Sequence, residues 1–501
     1  MKITRFFVVL LICLSVSLGA TGYAATSDDG MLRTSGKNIV NAKGEVVQLR
    51  GVNAGGWLVQ ESWLCLTNAD CQLKAFETLD SRFGRATRDY LFDVYEDNYW
   101  TEADFDNVKA LGMNVIRLPI TWWHILNEDG NLRSDAFDRI DWFVNCCEAR
   151  DLYVVIDLHA APGSQNGKDH SGDTSGSHLW ENSTYQDRTV ALWQHVANHY
   201  KGNATVAAYD LLNEPGGDSE TTTSMQWNFF DRLYDAIRAI DPDHIIMMES
   251  CWAPNNLPHP NTYGWENVVY QYHYYTWGAD NDYAKQKAAV DSNLSKLKNA
   301  NYPVPTYIGE LTLFQNEDAW RYALNAYSDA GLSWTIWNFK ATGENSTWGL
   351  YNILGDKADL NNDSAERIAE IWANQGTLKR NDWLCDIVSS VLSSEKTPIE
   401  TLAGMILDNI QNNFFAAPVT RMWKDHYLSG GVYSESQWEQ AVLIAIQRAK
   451  DLGVWYDFWE DDPTVLRDDL GDESIPLYAL GGLAVLSTIG MLYFRRRRLT
   501  A

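Results

Sequence analysis

Positive charge is what this chain lacks most: 40 lysines and arginines stand against 66 acidic residues, a formal net charge of −26. Nucleic-acid binding needs a basic patch or stripe, so this balance argues against it. It argues equally against an anionic polysaccharide as the main substrate. Cysteine is sparse, 7 in 501 residues, and no spacing among them suits a metal. Cys65 and Cys71 lie close enough in one loop to pair in an oxidising compartment, with free buried thiols as the other reading. A phosphate-gripping turn is also missing. Gly51-Val-Asn-Ala-Gly-Gly56 is not followed by a convincing helix, which counts against a doubly wound open sheet.

What the chain does have is alternation. Eight apolar runs read as strands: Val46–Val52, Asn114–Ile120, Tyr153–His159, Val206–Leu212, Ile245–Glu249, Val268–Tyr274, Pro305–Gly309 and Ser333–Phe339. Between them lie amphipathic stretches, Thr101–Leu111, Ala136–Arg150, Tyr185–Tyr200, Ser224–Ile240, Tyr283–Asn299 and Asp318–Ala330. The fifth crossover, Cys251–Glu266, is rich in Pro and Asn and reads as loop. This pattern predicts an α/β fold, a (β/α)8 barrel over residues 36–374.

Two of the runs end on a glutamate. Tyr209-Asp-Leu-Leu-Asn-Glu-Pro215 places Glu214, and Tyr307-Ile-Gly-Glu-Leu311 places Glu310, just past the carboxyl ends of two different strands. That end of a parallel barrel carries the chemistry. Two carboxyl groups about 5–5.5 Å apart can hydrolyse a glycosidic bond, one as acid/base and one as nucleophile. A lone glutamate here would read as a cap or surface group. The same rim also gathers Arg117, His159, Asn213, His273, Tyr275 and Trp337, more than core packing explains. The 22 Trp and 25 Tyr fit a sugar binder, although most of them fill the core of a barrel this size.

On these motifs the chain resembles glycoside hydrolase family 5 over roughly residues 36–374. The resemblance implies Glu214 as acid/base and Glu310 as nucleophile. Arg117 would hold the nucleophile ionised, since a nearby cation favours the charged carboxylate. Asn213 would contact the sugar 2-hydroxyl, and Tyr275 would orient Glu310 from the other side. His159 and His273 would line the subsite of the distorted sugar, with Trp337 stacked beneath it. No cofactor or metal is implied.

Leu49-Arg-Gly-Val-Asn-Ala-Gly-Gly-Trp-Leu-Val-Gln-Glu61 and Asp157-Leu-His-Ala-Ala-Pro-Gly-Ser-Gln-Asn-Gly167 are similar to the exo-β-1,3-glucanase branch of that family. There the glutamate matching Glu61 binds the non-reducing-end sugar in a closed pocket. The branch continues with an aromatic, Asp and Asn, whereas here stand Lys168, Asp169 and His170. The expectation is a β-glucan or β-linked oligosaccharide as partner, β-1,3-linked and attacked from its end. β-1,4-Glucan, mannan and glycolipid are alternatives on the same site. A non-catalytic cell-surface glycan binder is the alternative from another class, but it would have no need to keep all these residues.

The remaining segments concern address and anchoring. Residues 1–25, with Lys2, Arg5 and the run Phe6–Leu18, read as a secretory signal peptide. Residues 380–459 read as a helical extension, with a sugar module built on Trp423, Trp438, Trp455 and Trp459 as the lesser reading. An acidic linker at 460–474 leads to an uncharged, mostly apolar stretch at 475–494 and a basic tail at 495–501. Such a segment predicts a membrane-spanning helix with the tail inside and the barrel exported to the cell surface, or secreted after cleavage. No Leu-Pro-x-Thr-Gly precedes it, so sortase anchoring is unsupported. Asp359, Asn361, Asp363 and Glu370 have calcium-loop spacing, but Ser364 replaces the turn glycine, so Asp363 or Ser364 reads instead as a helix cap. Asn182, Asn203, Asn293, Asn345 and Asn362 are acceptor sequons in a host that glycosylates.

Overall fold

The computed structural model describes residues 30–216, 220–250, 253–393, 402–407 and 435–451. Eight parallel strands close into a barrel: Arg50–Asn53, Val115–Thr121, Tyr153–Ala160, Val206–Asp210, Ile245–Glu249, Val268–Tyr275, Thr306–Thr312 and Ser333–Ile336. The circle closes where the eighth strand pairs with the first, Trp334 opposite Arg50. Each predicted strand has its counterpart, and the flanking helices follow the predicted stretches. The fifth crossover holds only the short 3-10 turns Pro254–Asn256 and Pro260–Thr262 among the described residues.

An amino-terminal hairpin, Arg33–Ser35 with Asn38–Val40, stoppers the far end of the barrel. Its Leu32 and Ile39 pack into a cluster with Val115, Tyr153, Ala207, Ile245, Val269 and Tyr307, all near strand starts. That end is therefore filled with apolar side chains, and the polar residues collect at the other.

Strand ends depart from expectation where it matters. The seventh strand runs on to Thr312, so Glu310 lies inside it and not past its end. Tyr272 pairs with Ile308, but His273 pairs with Glu310, so Gly309 is the extra residue of a bulge. Bulges re-aim side chains, and this one sets Glu310 level with His273. Gly309 tolerates no side chain there, because a Cβ would sit 2.5 Å from the Gln271 amide. The fourth strand stops at Asp210, which leaves Glu214 on the loop beyond, with φ +39°.

Two helices between the first and second strands, Gln72–Phe83 and Arg85–Tyr99, were not anticipated. Nor was the three-stranded sheet Lys340–Thr342, Tyr351–Leu354 and Thr377–Arg380 that follows the eighth strand. Ser364 caps the helix Ala365–Asn374, its hydroxyl accepting from the Arg367 amide. Asp363 instead accepts from the amide of Asp359. Cys65 and Cys71 do not pair. The Cys65 thiol donates to the Gly56 carbonyl at 3.4 Å, and burial pushes its pKa up to about 12, so it packs as an inert side chain.

The chain divides into two units, residues 1–395 and 396–501. The helix Asp382–Ser393 belongs to the first, with Leu384, Ile387, Val388 and Val391 in its core. In the second, Glu435–Asp451 is helical and buries Trp438. The predicted signal peptide, acidic linker, apolar segment and basic tail lie outside the described residues. Among the described residues no helix is long and apolar enough to cross a membrane.

Candidate active site

Arg117 is the hub of the barrel's carboxyl end. It comes from the second strand and is fully buried. Its Nε donates to Asp210 at 2.8 Å, its Nη1 to Glu310 Oε1 at 3.0 Å and to Asn53 at 3.1 Å, and its Nη2 to Asn213 Oδ1 at 2.9 Å. Asp157 lies 3.1 Å from the same Nη2, and Glu249 4.0 Å. One guanidinium cannot hold this many buried carboxylates ionised together. Burial pushes Asp157 and Asp210 up to about 7 each and drives Glu249 up as well, Arg117 only partly opposing it.

Glu310 receives the donors on both oxygens. Arg117 takes Oε1, and the Tyr275 hydroxyl donates to Oε2 at 2.6 Å. His273 Nδ1 stands 3.4 Å from the same Oε2 and 2.8 Å from Oε1 of Glu214. Burial holds the His273 pKa down to about 3, so the ring is neutral and bridges the two glutamates with a single N–H.

Glu214 is held from four sides. Its backbone amide donates to Glu249 Oε2 at 2.9 Å, and its carbonyl accepts from Asn166 at 2.9 Å. His273 contacts one carboxylate oxygen, and His170 Nε2 lies 3.3 Å from the other. Gln165 ties the preceding turn down, donating to the carbonyls of both His159 and Asn213.

His159 and Trp337 form a stacked pair, ring centroids 5.3 Å apart and planes within 4°. Trp337 fits because Gly55 lies against it, where a Cβ would come within 2.7 Å of the indole. His159 Nδ1 bonds Asp157 at 2.6 Å, and burial lowers the ring's pKa to about 4. Its buried Nε2 has no protein partner.

Glu61 is buried on the loop after the first strand. Trp63 donates to its Oε2 at 2.9 Å, while its Oε1 is buried without a partner. Burial, then the charge of Asp169, raises its pKa well above the usual range, with Glu310 and Glu214 adding to the effect. Beside it runs a chain of rings: Trp63 meets Trp348 at 5.0 Å, and Trp348 meets Tyr275, Trp277 and Phe314 at 5.8, 5.6 and 5.3 Å. Trp277 is 65% exposed, an open aromatic face beside Tyr275. Lys168 lies exposed on the lip.

All nine residues expected at the site are thus gathered at this end. Seven of them, Arg117, His159, Asn213, Glu214, His273, Tyr275 and Glu310, share one hydrogen-bonded network. Asp157, Asp210, Glu249, Gln165 and His170 belong to it too and were not singled out from the sequence. Glu61, Asp169 and His170 each bring a donor atom within 4.8 Å of one another, as do Glu214, Glu249 and His273. In the second set, hydrogen bonds between the groups already account for the spacing.

Residues 67–343 match the family described as Cellulase (glycosyl hydrolase family 5). Beta-xylosidase of Phanerodontia chrysosporium is 32% identical over 348 residues, covering 62% of this chain and 71% of that protein. Probable glucan 1,3-beta-glucosidase A of Aspergillus clavatus is 28% identical over 248 residues, covering 49% of this chain and 59% of that protein, so the match spans under two thirds of its length. In fold, the crystal structure of rutinosidase from Aspergillus niger superposes with a TM-score of 0.51 at 17% identity, covering 65% of this chain and 98% of that one.

Proposed function

The chain belongs to glycosyl hydrolase family 5 and is a glycosidase, and on that premise we propose that it hydrolyses β-glucan by a retaining double displacement. Glu310 attacks the anomeric carbon while Glu214 protonates the departing oxygen. Glu214 then takes a proton from water, which displaces Glu310 from the sugar.

The observation that carries this reading is His273 wedged between the two glutamates. Its Nδ1 stands 2.8 Å from Glu214 Oε1 and 3.4 Å from Glu310 Oε2. Even laid end to end, these two reaches fall short of the roughly 6.5 Å at which inverting pairs begin. So close an approach of the two side chains supports direct attack on the sugar carbon rather than attack through an intervening water. Arg117 and Tyr275 donate to the two oxygens of Glu310 and fix it for in-line attack. Asn213 spends its Oδ1 on Arg117, and its NH2 is the group that would donate to the sugar 2-hydroxyl. His159 offers Nε2 to a hydroxyl, and Trp337 lies beneath the ring.

Preference for β-1,3 linkages and attack from the non-reducing end are the finer part of the proposal. Their support is Glu61, buried near the two glutamates with an Oε1 that has no protein partner and could take a terminal hydroxyl. The aromatic chain through Trp348 and Trp277 is suited to carry the following sugar. Export to the cell surface is proposed as well, on the apolar segments at 1–25 and 475–494.

Glu310→Ala tests the pair: turnover stops, and azide restores it with the anomer of the product inverted. Glu214→Ala spares aryl glucosides with good leaving groups and loses polymer hydrolysis. Near-native polymer hydrolysis by both variants contradicts the assignment. Laminarin, carboxymethyl-cellulose, mannan and aryl β-glucosides, compared side by side, decide the linkage.

A further inference from the structure

A cavity of about 930 Å3 lies on the flank of the barrel, lined by the helices Gln72–Phe83 and Arg85–Tyr99 and by the segment from Trp123 to Trp142. Ligand sites span roughly 300–1,000 Å3. Among the described residues that line it, none belongs to the active site, yet the two are neighbours. Trp123 packs on Gly172, where a Cβ would come within 2.8 Å of its ring, and the Leu73 amide donates to the Gly172 carbonyl at 2.9 Å. The cavity therefore adjoins the loop that carries Lys168 on the lip.

Its lining limits what it can hold. Nine carboxylates face four guanidinium groups there, and the guanidiniums are already paired, Arg88 with Asp80 at 2.9 Å and Arg139 with Glu96 at 2.6 Å among them. The acidic excess repels an anion, and so many charges do not suit an acyl chain. Phe76, Trp123 and Trp142 are only half-buried. Trp123 meets Phe76 edge to face at 5.5 Å, and Trp142 meets Trp57 at 5.7 Å. Flat faces of this kind suit both a cation and the apolar side of a pyranose ring.

Trp100 decides between these two. It lines the cavity at 1% exposure, and its indole N–H has no acceptor among the described residues. The rings packed on it, Phe105, Phe143 and Phe339, offer none. A buried donor needs a partner, and the cavity is where one can come from. Asp80, in the same lining, has a buried Oδ1 with no donor. A hydroxyl group both gives and takes a hydrogen bond, whereas an ammonium group only gives.

We propose that this cavity is a second, non-catalytic carbohydrate site, which takes a short neutral oligosaccharide of the substrate and so holds the polymer beside the active-site lip. This rests on the reading of the substrate as β-glucan.

The test uses the full chain with its catalytic pocket filled by a 2-deoxy-2-fluoroglucosyl group, titrated with laminaritriose in a calorimeter. The filled enzyme binds one laminaritriose. Trp142→Ala weakens that binding about tenfold or more, and Phe76→Leu, which keeps the apolar volume, about threefold or more. Trp142→Phe keeps a ring and stays within about threefold of the parent, which separates stacking from misfolding. Trp277→Ala, on the catalytic side, changes nothing. With the pocket open, Trp142→Ala keeps its kcat/KM on aryl β-glucosides and loses turnover of insoluble β-1,3-glucan. No binding by the filled enzyme, binding lost in Trp277→Ala but kept in Trp142→Ala, or binding of spermine in place of laminaritriose overturns the proposal. If the untreated chain cleaves no glucan, the substrate reading has failed and the proposal with it. If it cleaves laminarin while the filled enzyme binds no laminaritriose, only the second site has failed.

Discussion

The backbone amide of Glu214 donates to the buried carboxylate of Glu249 at 2.9 Å, at a residue whose φ is +39°. A non-glycine residue in that region must be held there, and Glu249 supplies the hold from the end of the fifth strand. Its Oε2 also accepts from Gln271 at 3.1 Å.

Glu249→Leu leaves that amide buried without an acceptor, a cost of about 1–3 kcal/mol. The expected result is a ten- to hundredfold loss of kcat/KM on polymer. Because burial already favours the neutral form of Glu249, Glu249→Gln keeps the acceptor and stays within about threefold of the parent. Steady-state kinetics on the two variants checks this; equal losses would make the charge, not the acceptor, the relevant feature.

Tyr275→Phe removes the 2.6 Å hydrogen bond to Glu310 Oε2 and no ring atom. Hydrogen bonds to charged groups contribute about 1.5–3 kcal/mol, so kcat should fall about ten- to a hundredfold. The melting temperature should stay within about two degrees, because the ring still packs between Trp277 and Trp348.

His159 has a folded-state pKa of about 4, set first by burial, against 6.5 when unfolded. Between those values the unfolded chain binds the proton and the folded one does not. The stability His159 contributes is therefore complete above pH 6.5 and is lost as pH falls toward 4. Asp157 and Asp210, raised to about 7, act in the opposite sense, their contribution being lost as pH rises from about 4 through 7. In thermal melts from pH 7 to 4.5, His159→Gln should lose less stability than the parent; an equal or steeper loss contradicts this.

Glu61→Ala tests the closed end of the site. Removing the buried carboxyl should raise KM about tenfold or more on short β-1,3-glucans. The parent should release glucose one unit at a time. Mixed-length oligosaccharides early in its digest would show an open cleft instead.

Deleting residues 475–501 should turn a membrane-fraction protein into a soluble enzyme with unchanged kinetics. Full-length protein that is already soluble and lacks its carboxyl-terminal peptides by mass spectrometry would identify the segment as a cleaved sorting signal.

The barrel was legible because a parallel sheet buries both faces, so its strands read as apolar runs such as Tyr153–Ala160, buried at every position. Glu214 and Glu310 stood out against those runs. Glu249 ends Ile245–Met248 in the same way and could have been found by the same signal. The helices Gln72–Phe83 and Arg85–Tyr99 were hidden because part of their inner face is charged: Arg88 and Glu96 are buried beside Leu91 and Phe92. His170 carries no periodic signal. Its place is set by a loop in which Asn166 reaches the Glu214 carbonyl, a contact across 48 residues that no local pattern shows.

The most direct test of the two-glutamate account is to trap the sugar on the enzyme. Incubated with 2-deoxy-2-fluoro-β-glucosyl fluoride, which slows departure from the nucleophile, the full chain should gain one sugar. Peptide mapping by mass spectrometry should place it on Glu310 and nowhere else. A sugar on Glu214 or Glu249, or continued turnover with no labelled peptide, would contradict the account.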